Sequence, residues 1–187
     1  MFPFRDHNPS GKTPYVTWTL IAINIIVFLT YLPLFNDERA MMIFLNDWAM
    51  FPDRISLGTH LITPLTSMFL HAGILHIAGN MLFLYIYGDN VEDRLGHFGF
   101  ALFYLACGFA AAGLHIATNP ASQVPVIGAS GAVAGVMGAY LLLFPKARID
   151  IALVLFIFIK VFTLPAYIVL GFWVAFQLFS GFSTLGF

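Results

Sequence analysis

The residues of this chain that could do chemistry are a serine, a histidine and an asparagine that interrupt long apolar segments. Ser130 lies in the segment 128–131 (Gly-Ala-Ser-Gly), and His76 and Asn80 are four residues apart. A serine hydroxyl becomes a nucleophile when a neighbouring base takes its proton, and the resulting oxyanion needs hydrogen-bond donors. An imidazole N–H, an amide and backbone N–H groups among glycines are such donors. The three residues therefore predict a hydrolytic site.

Each of these residues also has a structural interpretation. His76 and Asn80 could join helices by hydrogen bonds, and Gly131 and Gly135 form a G-x-x-x-G step that lets two helices approach closely. Histidines are costly inside a membrane, which favours a functional role. A metal site is a third interpretation, but no Cys, Asp or Glu lies at ligand spacing within an apolar segment. We therefore predict neither a metal nor another cofactor.

The expected helix geometry places these side chains. His76 and Asn80 share one helix face, whereas His71, five residues before His76, is expected to point elsewhere. If the helix starts near residue 66, His76 lies about 15 Å below that start, at 1.5 Å per residue. Ser130 is expected about one turn below the start of its own helix. Both groups then lie in the same half of the membrane.

Composition identifies the class of protein that positions these groups. Of 187 residues, 60% are hydrophobic and only 9% are charged, whereas soluble domains carry about 25% charged residues. The outer surface must therefore face lipid. The net charge of −1, with no cluster of cations, excludes nucleic-acid binding. The single cysteine, Cys107, excludes an intrachain disulfide and is interpreted as a small core residue.

Charge-free stretches locate the membrane spans, since a crossing needs about 20 helical residues. The predicted spans are 15–35, 66–87, 97–117, 126–144 and 164–181. The fold class is thus an all-α polytopic membrane protein, with an N-terminal tail over 1–14 and a membrane domain over 15–187. The segment 146–164 stays open, because Lys160 interrupts its apolar run. It could span, re-enter or lie at the interface.

The distribution of cations predicts the orientation, because cytoplasmic loops are enriched in Lys and Arg. One side would carry five cations, Arg5, Lys12, Arg94, Lys146 and Arg148. The other side would carry only Arg39 and Arg54. The N-terminus is therefore predicted inside and the loop 36–63 outside. That loop contains half-apolar pieces, which predict a functional loop or one lying on the membrane surface.

Several separated motifs resemble those of the rhomboid family of intramembrane serine proteases. The matching residues are His71, His76 and Asn80 (H-x-x-x-x-H-x-x-x-N), Glu92, Arg94 and Gly96 (E-x-R-x-G), and Gly128 to Gly131 (G-x-S-G). The resemblance runs from about residue 15 to the end of the chain. It implies a rhomboid-like bundle, of which five of six expected transmembrane helices are present.

The resemblance also implies roles for these residues. Ser130 would be the nucleophile and His76 and Asn80 the oxyanion donors, with His71, Gly128 and Gly131 in support. Glu92, Arg94 and Gly96 would form a structural turn. Substrates would be transmembrane proteins cleaved near the outer face of the bilayer, in a prokaryotic-type inner membrane. The segment after Pro165, with Phe172, Trp173 and Phe176, would correspond to the helix that gates substrate entry.

The sequence departs from the family pattern at the general base. The family's base is a histidine in a sixth helix, and no histidine follows His115 here. We therefore expect a chain truncated at its C-terminus and inactive by itself. The small-residue face of the fourth span supports this expectation, because no equally small partner is evident in the sequence.

Other histidines and other functions remain as alternatives. His115 is the remaining candidate base at suitable depth, while His7, His60 and His97 are expected to be structural or solvated. A non-catalytic, rhomboid-like protein that binds transmembrane helices is the alternative function. A transporter has little support, because Lys160 is the only formal charge deep in apolar sequence.

Overall fold

A computed structural model describes the backbone of residues 2–155 and 158–173, and most of these residues are helical. The helices are α1 (Tyr15–Tyr31), α2 (Glu38–Trp48), α3 (Pro52–Ser56), α4 (Thr63–Thr66), α5 (Ile74–Thr118) and α6 (Ser130–Leu143). The strands are β1 (Phe2–Asp6), β2 (Arg148–Leu155) and β3 (Phe158–Pro165). Short 3-10 turns follow α1 and α4, and the backbone is helical again over 166–173.

Two helical segments of the described chain are long and apolar enough to cross a membrane. The first is Tyr15–Asn36, which joins α1 to its 3-10 turn, and the second is α5, with 45 residues. Helix α5 is kinked at Gly96, whose φ of 70° interrupts the helical backbone. His76, near the start of α5, and His115, near its end, both lie beside residues 128–131. The two halves of α5 therefore run in opposite directions. They correspond to the predicted spans 66–87 and 97–117.

The second and fourth predicted spans begin later than expected. Helix α5 starts at Ile74, because residues 67–69 form a 3-10 turn and residues 70–73 are not helical. Helix α6 starts at Ser130 and has 14 residues, about 21 Å at 1.5 Å per residue. It is therefore shorter than the thickness of a bilayer core.

The all-α prediction is wrong within the segment 146–164, because residues 148–155 and 158–165 form two strands. Strand β2 pairs in antiparallel register with β3 and, on its other edge, with the N-terminal β1. Ile149 and Ile151 are buried and alternate with polar neighbours, the period-two pattern of a strand with one apolar face. The predicted span 164–181 starts after Pro165, and residues 174–181 lie outside the described chain.

The loops of the predicted outer side also pack together. Met50 and Val126 exchange backbone hydrogen bonds of 3.3 and 2.8 Å, and the Asp53 N–H donates to the Ser122 carbonyl at 3.1 Å. The amphipathic α2 precedes this contact and exposes Met42 and Ile43. The loop 36–63 therefore covers the end of the molecule from which α6 starts.

Helix α6 packs closely on the second half of α5 through its glycines. A Cβ atom on Gly131 would overlap the methyl group of Ala111, and one on Gly135 would overlap the side chain of Cys107. The two glycines of the G-x-x-x-G step thus have a packing partner within the sequence, which the sequence pattern did not identify. Cys107 and Ala111 are one helical turn apart and present small side chains to it.

Candidate active site

Ser130 is the first residue of α6, at the end of a loop held by backbone hydrogen bonds. The Gly128 N–H donates to the Ser67 carbonyl at 2.9 Å, which ties the loop to the 3-10 turn before α5. The first N–H groups of a helix have no partner within it and carry partial positive charge. Ser130, expected one turn inside the helix, thus lies directly at a group of backbone donors.

Gly128 brings Ser130 and His76 together. A Cβ atom built on Gly128 would lie 2.9 Å from both Cε1 and Nε2 of His76, and 3.7 Å from the Ser130 Oγ. The hydroxyl and the imidazole thus lie close to the same point. Gly128 also has a φ of 125°, a backbone angle that residues other than glycine rarely adopt. This geometry requires glycine at position 128.

The backbone orients the His76 ring. The Ala72 N–H donates to Nδ1 of His76 at 3.2 Å. A neutral imidazole that accepts at Nδ1 carries its hydrogen on Nε2, so we assign this tautomer. The Nε2–H then faces the 128–130 segment. His76 lies in the first turn of α5, so the expected depth of about 15 Å below the helix start is wrong.

Asn80 follows His76 on the same helix face and is almost fully buried. Its Nδ2 donates to the His76 carbonyl at 3.0 Å, which fixes the amide one turn below the imidazole. Among the described residues 2–155 and 158–173, the Asn80 side chain forms its hydrogen bond within α5 and not with segment 128–131. The structure brings Ser130 and His76 together and leaves Asn80 one turn away.

His71 lies in the non-helical segment before α5, and the expectation that it points away from His76 is wrong. The two ring centroids are 5.0 Å apart. Tyr31 fixes the backbone of His71, because the His71 N–H donates to the Tyr31 hydroxyl at 2.6 Å and this hydroxyl donates to the His71 carbonyl at 3.0 Å. Sequence reasoning missed Tyr31, which lies 40 residues earlier and belongs to no recognised motif.

A cavity of about 190 Å³ opens beside Ser130. Its walls include Gly128, Met68, Ala111 and His115. His115 therefore shares the cavity of the candidate nucleophile, although the described residues include no hydrogen bond between them. Tyr31 and His71 line a separate cavity of about 360 Å³ below α2.

The predicted turn at Glu92 lies in the middle of α5, next to the kink at Gly96. The buried Glu92 carboxylate accepts hydrogen bonds from the Val16 N–H (2.9 Å), the Thr17 N–H (2.8 Å) and the Thr17 hydroxyl (2.7 Å). It thereby caps the N-terminus of α1. His97 Nδ1 lies 2.5 Å from the same carboxylate.

The other two residues of the turn act locally. The Arg94 guanidinium lies 5.5 Å from the centroid of the Phe144 ring, where a cation is attracted to the ring face. Gly96 supplies the kink of α5. The turn is far along α5 from His76, and its contacts are structural.

Comparison with known proteins identifies the family. The family model described as "Rhomboid domain" matches residues 58–186. The chain belongs to the rhomboid family. Rhomboid proteins are embedded in membranes, which agrees with the composition of this chain.

Individual relatives extend the match. The chain is 33% identical to the rhomboid protease GluP of Bacillus subtilis over 143 residues, which cover 71% of the chain and 25% of GluP. It is 30% identical to the mitochondrial rhomboid protein 1 of Saccharomyces cerevisiae over 167 residues, covering 86% of the chain and 42% of that protein. It is also 40% identical over 77 residues (41% of the chain, 24% of the relative) to the mitochondrial RHOMBOID-like protein 6 of Arabidopsis thaliana.

The chain spans about a quarter of the length of several of these relatives. They include mitochondrial and chloroplastic proteins as well as a bacterial one. The expectation of a prokaryotic inner membrane is therefore not supported by them.

Proposed function

We propose that this chain belongs to a serine endopeptidase that cleaves transmembrane proteins near the outer face of the bilayer. Ser130 is the nucleophile, and His76 and Asn80 contribute to stabilising the oxyanion. The observation that carries the proposal is the approach of the Ser130 Oγ and the His76 ring to the same point above Gly128. Resemblance to the rhomboid protease GluP supports the same reaction class.

The reaction would proceed by acyl transfer. The Ser130 oxygen attacks the substrate carbonyl carbon while a base removes the hydroxyl proton. The carbonyl oxygen becomes an oxyanion that accepts hydrogen bonds from His76 Nε2–H and from N–H groups at the start of α6. The base returns its proton to the leaving amine, and water then hydrolyses the ester on Ser130.

His76 is poorly suited to be the base in this arrangement. Its Nδ1 accepts from Ala72, and its Nε2 carries the hydrogen that the oxyanion needs. His115 is the other histidine that shares the cavity with Ser130. The family resemblance implies instead that the base is a histidine of a sixth helix.

Labelling and cleavage by the complete protein test the proposal. We expect a fluorophosphonate to label Ser130 and a model transmembrane substrate to be cleaved, and Ser130→Ala to remove both activities. His115→Ala identifies the base, because it should leave both activities unchanged if another histidine serves. Retention of cleavage by Ser130→Ala would contradict the proposal.

A second candidate function is a non-catalytic protein that binds transmembrane helices. The observation in its favour is that no hydrogen bond between an imidazole and the Ser130 hydroxyl occurs in the described ranges. A complete protein that binds a model transmembrane helix, but neither cleaves it nor reacts with the fluorophosphonate, would favour this function.

A further inference from the structure

A third cavity lies at the opposite end of the molecule from Ser130. It has a volume of about 430 Å³ and is enclosed by the N-terminal segment, the start of α1 and the middle of α5. The side chains that matter for its chemistry are Arg5, Asp6 and Asp89, together with the aromatic residues Phe4, Trp18 and Tyr85. None of these residues belongs to the candidate active site.

The walls of this cavity carry both signs of charge. Arg5 contributes one cation, and Asp6 and Asp89 contribute two carboxylates. The Asp6 Oδ2 is fixed by the Tyr140 hydroxyl, which donates at 2.7 Å, and by the Asn90 Nδ2, which donates at 3.1 Å. A ligand that matches the cavity therefore carries an anionic group and a cationic group.

The two carboxylates also act on each other. Burial raises the pKa of Asp6, the hydrogen bond from Tyr140 opposes this shift, and the Asp89 charge adds to it. A cation placed between the carboxylates would relieve this repulsion.

The aromatic residues of this cavity indicate its depth in the membrane. Trp18 and Tyr85 project from apolar helices and are 51% and 62% exposed, and Phe4 is 41% exposed. Tryptophan and tyrosine are enriched at membrane–water interfaces, where their rings lie at the level of the lipid headgroups. The charged cavity and the rim of aromatic rings are thus at the depth of a headgroup.

We propose that this cavity binds the headgroup of a phospholipid with a primary ammonium group, such as phosphatidylethanolamine. Arg5 binds the phosphate, Asp6 and Asp89 accept hydrogen bonds from the ammonium, and Trp18 and Tyr85 contact the acyl chains. A primary ammonium donates three hydrogen bonds to oxygen acceptors, whereas the trimethylammonium of phosphatidylcholine donates none. The carboxylates therefore select ethanolamine over choline.

Quenching of Trp18 fluorescence tests this selectivity in the full chain. Trp48→Phe and Trp173→Phe leave Trp18 as the single tryptophan. The protein is reconstituted in phosphatidylcholine vesicles that contain either phosphatidylethanolamine or phosphatidylcholine with brominated acyl chains. We expect phosphatidylethanolamine to bind beside Trp18 about tenfold more tightly, because it adds charge-assisted hydrogen bonds.

Charge variants assign the contacts. Asp89→Asn should remove most of the preference for ethanolamine, whereas Asp47→Asn, the same change in the distant α2, should preserve it. Arg5→Gln should weaken both lipids alike, because both carry a phosphate. The thermal unfolding of each variant in detergent is measured as well, so that a loss of fold is distinguished from a loss of lipid binding.

Two results would overturn the proposal. Equal quenching by the two brominated lipids would show that the carboxylates select no headgroup. Displacement of the brominated lipid by millimolar phosphoethanolamine would show that the ligand is a soluble amine and not a membrane lipid. We expect phosphoethanolamine to leave the quenching unchanged, because it lacks the acyl chains that Trp18 contacts.

Discussion

At the scale of single residues, Gly128 controls the geometry of the candidate site. Its positive φ directs the loop toward His76, and its missing side chain leaves the space in which the imidazole approaches Ser130. An alanine methyl would lie 2.9 Å from the ring and would also be strained by the backbone, at a cost of about 1–3 kcal/mol. Two independent effects therefore disfavour any other residue.

We predict that Gly128→Ala lowers the rate of fluorophosphonate labelling at Ser130 in the complete protein at least tenfold, because the ring of His76 is displaced. Gly138→Ala is the matched control, since a Cβ atom there would meet nothing within 4 Å. Equal labelling rates in the two variants would show that Gly128 does not position the site.

Motif spacing singled out Ser130 and His76, which the structure brings close together, but it did not identify the groups that hold them. The Ala72 N–H and the Tyr31 hydroxyl orient the two histidine segments, and neither has a sequence signature. The prediction that the His71 side chain points away from His76 was also wrong. The spacing rule for helix faces does not apply to His71, because the helix starts only at Ile74.

At the scale of elements, α1 depends on a residue of α5 for its N-terminal cap. Pro14 precedes α1 and provides no side-chain cap, and Glu92 satisfies the Val16 and Thr17 N–H groups instead. The carboxylate also suits the positive end of the helix dipole. One buried side chain therefore joins the first span to the kink of α5.

We predict that Glu92→Ala destabilises the protein by about 2–4 kcal/mol, because buried N–H donors lose a charged partner. Asp93→Ala is the control, since Asp93 is partly exposed and forms a surface pair with Lys12, worth about 1 kcal/mol or less. Thermal unfolding in detergent measures both. Equal losses in the two variants would contradict a capping role for Glu92.

The packing of α6 on α5 gives a second prediction at this scale. Gly135→Ala should destabilise the protein by about 1–3 kcal/mol, because its methyl group overlaps Cys107. Adding Cys107→Gly to this variant removes the opposing side chain, and we expect it to restore part of the stability. A loss of stability in the double variant equal to the sum of the two single losses would show that the two residues do not interact.

Strands β2 and β3 were not predicted from the sequence, and their composition shows why. Arg148, Ile149, Asp150 and Ile151 alternate in polarity, but the run that follows is continuously apolar and resembles a membrane segment. The pairing of β2 with β1 joins residues almost a whole chain apart. Local periodicity carries no information about such a partner.

At the scale of the whole molecule, the sheet ties the N-terminal tail to the end of α6. Asp150 of β2 accepts from the Thr163 hydroxyl of β3 at 2.6 Å and pairs at 2.9 Å with His7, the residue that follows β1. These two hydrogen bonds, from Thr163 first and then from His7, lower the pKa of Asp150 below its usual 3.8. The native state therefore favours the charged carboxylate.

This shift predicts a pH dependence with a definite sign. A lowered pKa stabilises the native state above the usual pKa of 3.8, and the stabilisation disappears as the pH falls through the native pKa. The chain should therefore unfold at a higher temperature than Asp150→Asn at pH 6, and this difference should shrink as the pH falls below the usual pKa of 3.8. A difference that grows on acidification would contradict the role of the carboxylate.

The final prediction concerns the orientation of the molecule in its membrane. The N-terminal tail contacts α5 near Asp93 and pairs with β2, so the segments that carry Arg5, Lys12, Arg94, Lys146 and Arg148 meet at one end. The loop with Arg39 and Arg54 lies at the other end, beside Val126. Since cations are retained on the cytoplasmic side, we expect the sheet to face inward.

Accessibility of single cysteines to a reagent that cannot cross the membrane tests this orientation. In a Cys107→Ala background, Thr59→Cys should react in intact cells or organelles, because the loop 36–63 faces outward. Pro9→Cys should react only after permeabilisation, because the tail lies beside the sheet. The reverse pattern would place Ser130 near the inner face and contradict the proposed side of cleavage. Reaction of both cysteines before permeabilisation would contradict a membrane-spanning arrangement of α1.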